Sequence, residues 1–367
     1  MTQTRRAVLA SSAASIAGFG GCLGRIGSVP VDCPPQVGDG DVTRLGFVGD
    51  VMLGRNVDDR WRDDPTGVWG GMTDRLRELD GLFLNLECCV SDRGRPRPGR
   101  TYHFRASPSW AIPALNHVGT AFASLANNHV LDFGPDALTD TLALDDTGIP
   151  TAGAGTDRQS AFEPLETEVG GLDVAVVALT DQSPSYAARA DAGGTAYAPL
   201  SPTDQLTRNW VGGALAQARQ RDPDLLVVSL HWGPNWEVEP SATQQSFARW
   251  LVDRGADVVH GHSAHVIQGV ETYRGRPIIY DAGDFVDDYV VKPTLHNDRS
   301  FLFELVVAEG TLSALTLVPV EIVDSRVTPA SETAARWLRD RIRHLSEPFE
   351  TTVERNGTGL RIPLDEC

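Results

Sequence analysis

The sequence predicts an α/β protein built on open β-sheets, and three observations carry that reading. Five short apolar runs each stop at a side chain able to bind a metal: residues 46–49 before Asp50, 82–86 before Glu87, 122–126 before Asn127-Asn128-His129, 225–230 before His231, and 257–259 before His260-Gly261-His262-Ser263-Ala264-His265. Segments of helical period lie between the runs. Glycine-centred turns at Gly170-Gly171 and Glu309-Gly310 interrupt alternating stretches and mark antiparallel hairpins. Buried strands of an open sheet present their carboxyl ends along one edge, so side chains far apart in sequence converge there.

Taken in order, Arg5-Arg6, the apolar stretch Ala7 to Phe19 and Gly20-Gly21-Cys22 read as a twin-arginine signal with a lipoprotein-type cleavage site. That segment, residues 1–22, is excluded from the fold, and residues 23–43 form a Pro/Gly-rich linker. Strands are expected from near Arg44, Leu82, Thr120, Ile149, Asp173, Asp224, Asp257 and Ile278. Helices are expected over Gly71 to Asp80, Pro135 to Thr147, Thr203 to Arg221 and Thr243 to Arg254. The hairpins are Glu166 to Leu179 and Phe301 to Val318. Ser183 to Pro202, rich in Ala, Gly and Ser, reads as a mobile loop over the site. One domain spans 44–323; residues 324–367 add an amphipathic helix, Ser331 to Leu345, and a tail from Ser346 read as peripheral.

Composition bounds the function. With 367 residues and 41% hydrophobic content the chain can bury a large core. Acidic residues outnumber basic ones 49 to 32, for a net charge of -17, and Lys292 is the only lysine. Such acidity suits a high-salt medium, where screening removes the repulsion between carboxylates. It argues against a nucleic-acid partner. Against that background Arg93, Arg95, Arg97, Arg100 and Arg105 crowd one Pro/Gly-rich loop. Guanidinium forks suit carboxylate or phosphate, and a solvated loop is the competing reading. Arg55, just past Asp50, either grips an anion beside a metal or pairs with Asp58 or Asp59. Cys33 and Cys367 could staple the chain ends, with connectivity open. Cys88-Cys89 follow Glu87 and read as metal helpers or as small buried residues. The cluster His260, His262 and His265 suits Zn, Mn or Fe, a His-rich surface turn being the alternative.

Gly49-Asp50-Val51-Met52-Leu53-Gly54-Arg55, Asn85-Leu86-Glu87, Ala126-Asn127-Asn128-His129 with Asp132-Phe133-Gly134, His231-Trp232-Gly233, Gly261 to Val266, and Gly283-Asp284-Phe285 occur in this order. Together they resemble the CapA family of capsule (poly-γ-glutamate) synthesis proteins, a branch of the calcineurin-like metallophosphoesterases. The resemblance implies a four-layer αββα sandwich of two mixed sheets flanked by helices. It also implies one or two divalent ions. Asp50 and His265 would hold one; Asn128, His231 and His262 the other; Glu87 would stand where the phosphoesterases have a bridging Asp. His129 would be the acid near the leaving group, with Asp132 as its catalytic partner; guanidinium chemistry, apart from the resemblance, makes Arg55 and Arg105 the candidate substrate contacts. Three positions depart from the pattern: Met52 replaces the His of an Asp-x-His motif, Asp284 replaces an Asn, and Asn235 stands near an expected acidic residue. Met52 is no ligand for a hard ion, which leads to an expectation of fewer than two tightly held metals.

Two functions fit. The first is a lipid-anchored, extracytoplasmic metal-dependent hydrolase of a phosphoester or polymer amide bond. The second is a non-catalytic surface protein that holds an anionic polymer such as poly-γ-glutamate for the capsule synthesis machinery.

Overall fold

Strand alternation sorts the apolar residues into three cores. In the strand Leu172–Thr180, Val174, Val176 and Ala178 face one way, while Ala175, Val177 and Leu179 face the other. The same split recurs in Leu225–His231, where Leu225 and Val227 oppose Leu226, Val228 and Leu230. The computed structural model describes residues 42–364. The segment read as a signal, with Arg5-Arg6 and Cys22, nearly all of the segment read as a linker, and Cys33 and Cys367 lie outside the described residues.

The first sheet runs, from one edge, Glu354–Asn356, Gly359–Pro363, Thr311–Val323, Arg299–Ala308, Val42–Val51, Gly81–Leu86, Thr120–Ser124, Thr151–Ala152. Asp284–Val286 pairs parallel with Val42–Val51, and Arg326–Pro329 pairs with Thr311–Val323. The second sheet runs Val270–Tyr273, Arg276–Ile279, Val258–His262, Leu225–His231, Leu172–Thr180, Leu165–Val169. The first sheet is antiparallel from its Glu354–Asn356 edge to Val42–Val51 and parallel from there to Thr151–Ala152, and the second has a parallel centre between antiparallel edges, so both are mixed. Phe47, Phe83, Phe122 and Phe303 of the first sheet meet Val176, Val227 and Val258 of the second in the central core. Helices Pro108–His117 and Pro135–Leu142 cover the outer face of the first sheet through Trp110, Leu115 and Leu138. Helices Gly212–Arg219 and Ala242–Val252 cover the second through Leu215, Phe247 and Leu251. This is the four-layer αββα sandwich.

Both hairpin turns take the left-handed backbone that two-residue hairpins need, with φ of 58° and 80° at Gly170-Gly171 and 52° and 75° at Glu309-Gly310. The tail is not peripheral. Gly359–Pro363 pairs with Thr311–Val323 and buries Leu360 and Ile362 in the central core. The helix Glu332–Ser346, capped by Ser331, adds Leu338, Ile342 and Leu345 to that core. Polar residues dominate the tail sequence, and its apolar pair alternates over too few positions to announce a strand. Among the described residues no helix is long and apolar enough to cross a membrane.

Candidate metal centre

The inward alternation that buries Leu225 and Val227 also aims Ser229 and His231 between the sheets. In the neighbouring strand it aims Val258, then His260 and His262, the same way, with His231 and His262 in register. Across the sandwich, Val42–Val51 brings Asp50 to the same edge and Gly81–Leu86 ends at Glu87. A close approach completes the centre: a Cβ at Gly49 would fall 1.7 Å from the Gly283 carbonyl oxygen. Only glycine permits that contact, and it sets Asp50 beside Asp284 in parallel register.

Two groups of buried donors result, sharing Asp50: Asp50, His231 and His262, and Asp50, Glu87, His265 and Asp284. The Nδ1 atoms of His231 and His262 are 3.1 Å apart. Asp50 Oδ1 is 3.5 Å from His262 Nδ1, and its Oδ2 is 3.2 Å from His265 Nδ1. Asp284 Oδ1 lies 2.9 Å from His265 Nδ1. Donors that each sit ~2.1 Å from one ion are ~3.0–3.4 Å apart at octahedral or tetrahedral angles. These four spacings lie close to that range, while Asp50 Oδ1 to His231 Nδ1 at 3.8 Å and Glu87 Oε2 to His265 Nδ1 at 4.0 Å are wider. Glu87 Oε1 and Asp284 Oδ2 are buried and have no hydrogen-bond partner, which is costly unless a cation takes them. Carboxylate oxygen and imidazole nitrogen suit Zn, Mn or Fe, so the residues fit a divalent metal.

The surrounding contacts hold these donors in place. Ser229 Oγ is 3.0 Å from His262 Nε2, leaving Nδ1 for the cluster. Asn85 donates to Asp50 Oδ1 at 2.7 Å. Asp281 accepts from the Ala264 and Gly283 N–H groups, tying the His265 turn to the Asp284 turn. Burial alone would raise the Asp50 carboxyl, but its bond to His265 and the His231 and His262 rings hold it below the usual carboxylate range. Burial, then the Asp50 charge, pushes Glu87 well above that range. Burial pushes Asp284 up too, against the pull of His265. Desolvation brings His231 down to about 3 and lowers His262 strongly, so both rings are neutral and ligand-competent at pH 7.

His129 stands beside the second group. Asp132 Oδ2 lies 2.6 Å from His129 Nδ1, and Nε2 is 3.8 Å from Glu87 Oε1. The ring stacks on Phe104 at 3.8 Å between centroids. Asp132 also accepts from the Phe104 N–H and the Tyr186 hydroxyl and pairs with Arg100 at 3.0 Å. The segment read as a mobile cover therefore contributes a buried residue, Tyr186, to the site.

Several expectations change. Asp50 is the carboxylate common to both groups, and Glu87 also lies between them, with Oε1 4.0 Å from His231 Nε2 and Oε2 4.0 Å from His265 Nδ1. Asp284, read from sequence only as a departure, is a member of the second group; its pairing with Asp50 is a tertiary fact that no local pattern signals. Met52 points into the outer core of the first sheet and takes no part. Asn128 Oδ1 lies 3.1 Å from His231 Nε2, the ring nitrogen that also faces Glu87 Oε1 at 4.0 Å, so it stands at the edge of the donor cluster beside His231. Arg55 pairs with Asp288 at 2.8 Å, while Asp58 and Asp59 go to Arg62. Arg105 lies over Phe133 at 4.1 Å and bonds the Arg93 carbonyl; Arg100, not Arg105, reaches the His129–Asp132 pair. Cys88 and Cys89 are free, buried thiols, and burial raises both pKa values. Neither belongs to the donor groups.

Fold and site together define an α/β sandwich with a carboxylate–imidazole centre suited to divalent metal. The chain belongs to the bacterial capsule synthesis protein family PGA_cap, whose model matches residues 44–289. It is 33% identical to a probable polyglutamine synthesis accessory protein of Mycobacterium tuberculosis, over 87% of this chain and 95% of that one. The capsule biosynthesis protein CapA of Bacillus anthracis is 27% identical, over 78% of this chain and 69% of its own length. Among solved structures, a hypothetical protein from Thermus thermophilus aligns with TM-score 0.46 at 18% identity, over 76% of this chain and 99% of that one. A purple acid phosphatase from yellow lupin seeds aligns with TM-score 0.37 at 10% identity, over 80% and 54%.

Proposed function

We propose that this protein acts in the synthesis of a poly-glutamate-type capsule polymer as an exported, lipid-anchored, metal-dependent hydrolase of a phosphoester or polymer amide bond. The observation that carries the hydrolytic part is the His129–Asp132 pair. Asp132 accepts from Nδ1–H, which fixes the tautomer and leaves the Nε2 lone pair facing Glu87 and the donor groups. A protein that only held polymer would not need a buried, oriented base there. Burial lowers the His129 pKa despite Asp132, so the ring is neutral at pH 7 and able to take a proton first.

A divalent ion held by Asp50 with His231 and His262, or by Asp50, Glu87, His265 and Asp284, would polarise the scissile oxygen and bring bound water to a pKa of about 7. The protein's own groups do the rest. His129 Nε2 accepts a proton and later returns it to the leaving group, while Asp132, held by Arg100 and Tyr186, stabilises the charged ring. Closely packed carboxylates give the donor groups their affinity for cations.

The test is turnover of poly-γ-glutamate and of a phosphomonoester by metal-replete wild type and His129→Ala. Shortened polymer or released phosphate, lost in the variant, supports the hydrolase. Polymer binding with no turnover of either substrate returns the protein to the non-catalytic, polymer-holding class. Export rests on the sequence motif. Replacing Arg5-Arg6 by Lys-Lys should retain precursor in the cell, and Cys22→Ser should release the protein from the membrane. A Cys22→Ser protein that stays bound after a high-salt wash overturns the anchor.

A further inference from the structure

Lys292 is the one lysine among 32 basic residues, in a chain that uses arginine everywhere else. Its Nζ lies 4.5 Å from the centre of the Trp236 ring. Trp236 is in turn 5.2 Å, ring to ring, from the donor His265 and 6.5 Å from Tyr289, whose hydroxyl donates to Glu87. The single lysine is thus one aromatic ring away from the metal centre.

Both members of the pair are held from the backbone. The Trp236 N–H donates to the Ala264 carbonyl at 2.8 Å, tying it to the turn that carries His262 and His265, and its backbone is left-handed at φ 71°. That conformation is unfavourable for a bulky residue and is kept by its surroundings. The Lys292 N–H donates to Asn297 Oδ1 at 2.7 Å, and its carbonyl accepts from the Leu295 and His296 N–H groups. The backbone position is fixed, and the ammonium rests over the Trp236 ring. The guanidiniums nearest the donors are committed, Arg55 to Asp288 and Arg100 to Asp132. Among the described residues Lys292 has no carboxylate partner.

A chain of net charge -17 that gathers several carboxylates at one edge repels an anionic substrate outside the reach of its ions. An unpaired cation beside the centre reverses that field locally. A compact ammonium on a flexible stem binds a single anion without a bidentate fit and releases it readily, which an arginine fork does less well. Val290 and Val291, 86% and 45% exposed, precede it directly in the chain and leave apolar surface open to solvent. A short aliphatic stem ending in a carboxylate uses both the apolar surface and the ammonium, whereas a phosphate group uses the ammonium alone.

We propose that Lys292, seated on Trp236, is a subsite for a substrate carboxylate adjoining the metal centre, and so a specificity residue for a polycarboxylate chain. The proposal rests on the functional reading above. The test uses the full-length, metal-loaded protein and measures binding of a γ-glutamate oligomer, its side-chain amidated neutral analogue and a phosphomonoester, with metal content recorded for each variant. Lys292→Ala should weaken the γ-glutamate oligomer about tenfold, Lys292→Glu more, and Lys292→Arg less than Lys292→Ala. Metal content and phosphomonoester affinity should stay at the wild-type value. Equal oligomer affinity for wild type and Lys292→Ala, with metal removal abolishing binding, overturns the subsite and leaves the functional reading standing. Weakened phosphomonoester with unchanged oligomer overturns the carboxylate assignment. Failure of metal-loaded wild type to bind the oligomer removes the reading and the subsite together.

Discussion

Asp50→Asn is the sharpest perturbation of this centre, because Asp50 is the carboxylate that both donor groups share. The change is isosteric and the amide oxygen can still accept from Asn85, while the amide nitrogen faces the Ser263 N–H that Asp50 Oδ2 accepts at 3.2 Å, so one hydrogen bond is lost along with the charge. What is lost is charge facing His262 at 3.5 Å on one side and His265 at 3.2 Å on the other. Loss of an outer partner of a metal ligand typically costs ~10–100-fold in affinity. Removing a ligand itself should cost at least ~100-fold at each ion, or about 2.7 kcal/mol apiece. Metal per protein chain, measured by elemental analysis after gel filtration, reads this directly. The two groups predict two ions in wild type, against the fewer than two expected from Met52, with none retained in Asp50→Asn and one in either Asp284→Asn or His231→Ala. Wild-type metal content in Asp50→Asn would refute the shared-ligand reading. A single ion in wild type, lost equally in Asp284→Asn and His231→Ala, would show that the two groups act as one site.

His129→Ala should keep its metal and lose ~10²–10⁴-fold in kcat, the usual contribution of a positioned acid–base group, whereas equal activity would remove His129 from the chemistry. Chelated protein should fall further below metal-loaded protein in Tm as pH rises from 5 to 8. Glu87 and Asp284 have raised folded pKa values without metal, so the stability they contribute is present at low pH and is lost as pH rises through those values. A gap that narrows with rising pH would contradict this. His260, buried against Phe47 and donating Nε2–H to the Val48 carbonyl, is held down from 6.5 to about 4 by burial. Its depressed pKa means that stability is complete above about 6.5 and falls as acid protonates the unfolded chain, by ~1.4 kcal/mol per pH unit down to about 4. His260→Phe should cost ~1 kcal/mol at pH 7 through the lost hydrogen bond, yet lose ~2 kcal/mol less than wild type between pH 7 and 5. Parallel pH curves in denaturant titrations would count against it.

The sequence by itself determined the elements that obey a local period. The runs ending at Asp50, Glu87, His231 and His260 to His262 are buried strands because they are short, predominantly apolar and bounded by turn residues, and their polar ends name the edge where a site forms. The Gly170-Gly171 and Glu309-Gly310 turns were legible for the same local reason, left-handed backbone. The helix Arg55–Trp61, with seven residues, and Pro108–His117, with Pro113 inside it, were not anticipated because short length and an internal proline erase the periodic signal. Only the tertiary structure decided which donors meet. Asp284 joins Asp50 because two glycine backbones, 49 and 283, approach more closely than any side chain allows, and Met52 leaves the site because its side chain faces the outer core. Likewise the basic residue that reaches His129–Asp132 is Arg100 and not Arg105, a choice made by how the loop returns over Phe104 and Phe133. Residue type and spacing specify which side chains are able to bind a metal or an anion; distance between strands far apart in sequence specifies which of them do so together.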